Sequence, residues 1–112
     1  MPVLSITTNS DPGESPGLLA RISSAVAEML GKPESYVMLL FQRQRHMLFA
    51  GSDAPLAYLE LKSIALPVER TAEFAARLCA LISSELGIPQ ERIYIEFSDL
   101  QRPLFGWNAR TF

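Results

Sequence analysis

One cysteine and one histidine in 112 residues close off several chemistries at once. Cys79 has no CxxC partner and no second cysteine, so an internal disulfide and dithiol redox chemistry are excluded. A His/Cys zinc site lacks the ligands it needs. Cys79 stands between Leu78 and Ala80 in a helical pattern, which suits a small packing residue better than a nucleophile. His46 falls in the polar run Gln42-Arg43-Gln44-Arg45-His46, a solvated hairpin tip or strand end. A basic surplus is missing too. Ten Lys+Arg against twelve Asp+Glu leave a net charge of −2, which argues against nucleic acid or an anionic membrane as partner. No apolar run reaches the ~18 residues of a membrane span. The first residues lack the basic and apolar regions of a secretory signal. A cytoplasmic location is expected, with export by a signal-independent route left open.

What is present is apolar. Hydrophobic residues make up 48% and charged residues 20%, and the mean hydropathy is +0.14. For a small single domain spanning 1–112, that balance points to surface hidden by self-association. Met1-Pro2 runs directly into the strand-like Val3-Leu4-Ser5-Ile6-Thr7-Thr8. With Met1 removed, Pro2 would present a rigid secondary amine on a strand. An α-amino group titrates only about one unit above neutrality, so burial or a nearby cation would poise it as a general base. Met-Pro also begins chains that use it for nothing.

The two halves echo each other, at about 2–50 and 55–105. Gly31 and Gly87 lie 56 positions apart, and the same offset maps Pro33 onto Pro89. It maps Val37, Leu39 and Phe41 onto Ile93, Ile95 and Phe97, and Leu18, Ile22, Val26 and Leu30 onto Phe74, Leu78, Ile82 and Leu86. Each half therefore carries an amphipathic helix followed by a strand. Ser15-Pro16 reads as an N-cap and first-turn proline. The two glycines end the helices. A strand precedes each helix, at 3–8 and at 56–64. The fold class expected is α/β (α+β): a duplicated β-α-β unit giving one four-stranded mixed sheet, with both helices on one face. Tyr36-Val37-Met38-Leu39-Leu40-Phe41 is apolar on both sides, yet nothing in the chain covers the helix-free face. A second copy is the simplest cover.

These residues resemble the macrophage migration inhibitory factor and D-dopachrome tautomerase family of the tautomerase superfamily, closest to the first branch. The resembling pieces are Met1-Pro2, Thr8-Asn9, Gly31-Lys32-Pro33, Tyr36, Met47-Leu48-Phe49-Ala50-Gly51, Leu61 and Ser63-Ile64. They continue through Arg92-Ile93-Tyr94-Ile95, Asp99, Gly106-Trp107-Asn108 and Thr111-Phe112. The resemblance implies a homotrimer whose sheets wrap a central channel, with active sites between subunits. It also implies keto–enol tautomerisation of aromatic α-keto acids such as phenylpyruvate, without metal or organic cofactor. Pro2 is then the base and Lys32 the cation that holds a substrate carboxylate. Ser63 and Ile64 contact substrate through the backbone, and Tyr94 reaches the site from a neighbour. Tyr36, Phe105, Trp107 and Phe112 supply aromatic walls, although Phe105 and Phe112 suit plain subunit packing equally well.

Two departures stand out. Glu96 occupies the position of the family's usual asparagine, and its charge would favour a protonated Pro2 and repel an anionic substrate. The CxxC found in the vertebrate members is absent, its positions being Leu56 and Leu59. The alternative function is a non-enzymatic, cytokine-like module that binds a receptor protein through a vestigial pocket. A third is hydration or dehalogenation of an unsaturated acid, for which Arg102 is the candidate by position alone.

Overall fold

A computed structural model describes residues 1–13 and 15–112. Alternation of apolar and polar residues builds β1 (Val3–Thr8), which buries Leu4, Ile6 and Thr8 on one side. The helices α1 (Leu18–Leu30) and α2 (Thr71–Leu86) bury the i, i+4, i+8 stripe seen in the sequence: Leu18, Ile22 and Val26, and Phe74, Leu78 and Ile82. After α1 comes β2 (Met38–Arg43). Then β3 (Ala57–Ile64) precedes α2, and β4 (Ile93–Leu100) follows it.

The sheet order is β2-β1-β3-β4. β1 and β2 are parallel, β3 and β4 are parallel, and the two halves join through antiparallel β1–β3 pairing. This is the duplicated β-α-β unit in one mixed sheet. Leu4, Ile6, Leu59 and Leu61 from the central strands meet Ile22, Val26, Phe74, Leu78 and Ile82 from the helices in a single core. A short antiparallel hairpin of β5 (Gly106–Trp107) and β6 (Arg110–Thr111) closes the chain. It has no counterpart in the first half.

Three local features depart from the sequence-based expectation. Gly17, not Ser15, caps α1: it takes φ 82°, while Ser15 accepts the Leu18 N–H on its carbonyl and Arg21 Nη2 on its hydroxyl. Tyr36 lies in a 3₁₀ turn (Glu34–Tyr36) just before β2 rather than in the strand, because the chain must rotate after Pro33 to enter the sheet. The helix-free face is apolar only in part. Met38 and Leu40 are 57% and 51% exposed at the β2 edge, whereas the middle of that face is built from Ser5, Thr7, Tyr58, Glu60 and Lys62.

Candidate active site

Three backbone segments converge where β1 begins. Parallel pairing places the start of β2 beside the start of β1, and the Met38 N–H donates to the Pro2 carbonyl at 3.0 Å. Antiparallel pairing opposes Val3 to Lys62, so the next residues, Ser63 and Ile64, arrive beside Pro2. Past them the chain turns at Ala65, a non-glycine residue at φ 56°. The third segment is the α1–β2 connection. Gly31, at φ 63°, lets the Lys32 N–H return to the Ala27 carbonyl at 3.0 Å, a helix-ending turn that delivers Lys32 to the same end of the sheet.

Pro2 is less than 2% exposed. The α-amino group of Met1, one residue ahead of it, is held below the ordinary α-amino range, first by burial and then by the positive charge of Lys32. An amine at this end of the sheet is therefore easier to deprotonate than one on a free tail. Beside it, Tyr36 stands edge-on to Trp107 (5.6 Å between ring centroids, 81°) and to Phe112 (6.4 Å, 83°). Trp107 stacks on Phe112 (5.9 Å, 8°), and Phe105 lies 5.7 Å from Phe112. The hairpin is tied back by the Phe112 N–H to the Phe105 carbonyl, 3.1 Å. Together these rings and Met1 wall a cleft of about 230 Å³. Met1, directly ahead of Pro2, is itself part of that wall.

A larger cleft, about 450 Å³, is lined by Pro12, Gly13, Ser15, Leu18, Leu19 and Phe41, and its described walls carry no ionisable side chain. Cys79 packs half-buried against the core, with its thiol pushed up by burial, which disfavours the reactive thiolate. Among the described residues no cluster of His, Cys, Asp and Glu could hold a metal, and no helix is long and apolar enough to cross a membrane.

The structure thus gathers Pro2, Lys32, Ser63, Ile64, Tyr36, Phe105, Trp107 and Phe112 at one end of the sheet. Tyr94 and Glu96 are not with them. Tyr94 pairs with Tyr58, which pairs with Thr7, so it lies two strands away and five residues along from Pro2. At about 3.3 Å per residue and about 4.8 Å per strand, that is roughly 19 Å. Tyr94 points to the helix-free face and is 64% exposed, opposite in sense to its buried neighbour Ile93. Glu96 shares that face, opposed to Glu60 across the β3–β4 pair. The Tyr58 hydroxyl donates to the Glu96 carboxylate. That bond and the two carboxylates push the Tyr58 phenol up to about 12. The Tyr58–Glu96 contact was missed in the sequence; the two residues sit 38 apart and become neighbours only through the sheet register.

The family model described as macrophage migration inhibitory factor matches residues 1–112. The chain belongs to this family. It is 39% identical to the macrophage migration inhibitory factor homolog of Brugia malayi, over all of this chain and 99% of that one. Among solved structures it is similar to the homologue from Prochlorococcus marinus (43% identity, TM-score 0.91, 98% of each chain covered). It is also similar to the factor from Trichinella spiralis (32% identity, TM-score 0.93, 98% of this chain and 99% of that one). The matched lengths leave neither half of the duplicated fold unaccounted for. Family membership supports a tautomerase-superfamily or cytokine-like role.

Proposed function

We propose that the protein is a keto–enol tautomerase of aromatic α-keto acids such as phenylpyruvate, with Pro2 as general base once Met1 is removed. The observation that carries this is a buried Pro2 whose neighbour Met1 walls an aromatic cleft and carries an amine lowered by the charge of Lys32. The neutral amine takes a proton from the carbon next to the carbonyl, and the electron pair of that C–H bond moves into the enolate. The protonated amine gives that proton to the enolate oxygen, directly or through a water, and is neutral again for the next turnover; the reverse reaction retraces the same transfers. Lys32 holds the substrate carboxylate and disfavours protonation of the amine. The rings exclude water and accept the flat aryl group.

The catalytic unit is a homotrimer with sites between subunits. Two features of the sheet support it: exposed apolar side chains at the β2 edge, and a polar centre fit to line a wet channel. Tyr94 lies roughly 19 Å from Pro2 within one chain, so in this reading it serves the site of a neighbour. Replacing Pro2 by Gly in Met1-processed protein keeps a terminal amine but loses the rigid secondary one. Phenylpyruvate enolisation should fall sharply; normal turnover would remove Pro2 from the chemistry.

A receptor-binding, cytokine-like module is the second function, favoured by Glu96, whose charge opposes an anionic substrate. An intact oligomer without turnover on a panel of keto acids, yet with saturable receptor binding, would select it.

A further inference from the structure

We propose that Arg92 is a positioning residue for Tyr94, acting through Phe49. The proposal rests on the tautomerase function above, in which Tyr94 completes a neighbour's site.

Arg92 ends the 3₁₀ turn Gln90–Arg92 that leads into β4, two residues before Tyr94. Its guanidinium donates to four backbone carbonyls of one loop. Nε–H reaches Pro55 O at 3.0 Å, Nη1 reaches Phe49 O at 3.1 Å, and Nη2 reaches Ser52 O and Ala54 O, each at 3.0 Å. An arginine has five N–H donors in a fixed planar fork, so nearly all of its capacity goes into this loop and little is left for a ligand. The same guanidinium lies 5.3 Å over the Phe49 ring. The loop tip is a tight reversal, with paired hydrogen bonds between Phe49 and Ser52 and left-handed Ala50 and Gly51. Asn9, at the end of β1, holds its far side through the Asp53 carbonyl and the Leu56 N–H.

The consequence is felt at Tyr94. Its ring centroid is 4.6 Å from that of Phe49, in a tilted pair, and this is its only ring contact among the described residues. The Tyr94 hydroxyl has no hydrogen bond among the described residues, and the residue is 64% exposed. Without Phe49, χ1 of Tyr94 would be free to sample its rotamers. The order of a proposed site residue therefore depends on a loop that has no regular structure beyond its tip, and that loop depends on Arg92. Lysine cannot substitute, because three donors on one ammonium cannot meet four carbonyls spread along the loop.

The test compares wild type, Arg92→Gln, Arg92→Lys and Phe49→Leu as Met1-processed oligomers, each also in a Tyr94→Ala background. Phe49→Leu leaves the arginine clasp intact, so it reports even where the Arg92 variants fold poorly. All three single variants should raise KM for phenylpyruvate about threefold to tenfold, the worth of one aromatic pair. They should leave kcat and its pH profile nearly unchanged, and their effects should vanish in the Tyr94→Ala background. Losses that persist undiminished without Tyr94 overturn the proposal. Should wild type show no turnover, the tautomerase function fails separately. The nuclear Overhauser contact between the Phe49 and Tyr94 rings then decides: its loss in Arg92→Gln supports positioning, and its retention refutes it.

Discussion

Two variants that are each only weakly active at substrate concentrations far below KM should restore one another when mixed. Pro2→Gly removes the base but leaves Tyr94 intact, and Tyr94→Ala does the reverse. Within one chain the two positions lie roughly 19 Å apart by strand spacing and register, too far for one small substrate to touch both. If each site takes Pro2 from one subunit and Tyr94 from the next, unfolding and co-refolding equal amounts of the two variants should assemble complete sites. Random mixing gives each required partner about half the time, so about one quarter of all sites regain both groups. The assay is the ultraviolet absorbance of phenylpyruvate enol, read on the isolated oligomer against wild type at equal site concentration. Activity near one quarter of wild type is expected. Activity equal to the mean of the two parent variants would refute the sharing of sites. Full activity in Tyr94→Ala alone would remove that residue from the site.

Lys32→Ala should move the acidic limb of the kcat/KM profile to higher pH, because the cation that lowers the terminal amine is gone and the base is active only when neutral. It should also weaken binding of the carboxylate substrate. Glu96→Asn should lower KM for an anionic keto acid and bring the Tyr58 phenol down from about 12 towards the ordinary tyrosine range, which spectrophotometric titration would show. Ala109 sits at φ 63° in the β5–β6 turn, so Ala109→Gly should stabilise by roughly 1 kcal/mol in denaturant unfolding. Phe74 is fully buried at the centre of the core, and Phe74→Ala should cost about 3–5 kcal/mol.

Much of the fold was legible because the helix stripes and their terminating glycines recur at one fixed offset. The repeated order of strand, helix and strand then leaves few ways to form a sheet. The cap of α1 was not legible, since Ser15-Pro16 offers the customary residues while the backbone uses Gly17. The β5–β6 hairpin was not legible either: its two-residue strands are too short for a period to show. Along β2 both faces are apolar, but the pattern of one strand cannot tell that the rest of the helix-free face is polar. At the site, the residues on the Pro2 side could be gathered from the resemblance and are brought together by register. The Tyr58–Glu96 bond and the Arg92 clasp depend on groups about 40 residues apart in sequence, and no local signal marks them.

The protonation of the Pro2 nitrogen in Met1-processed protein tests the central claim most directly. A ¹⁵N chemical-shift titration of that single nitrogen should show it half-protonated around neutrality. A nitrogen that stays fully charged well into alkaline solution would contradict it.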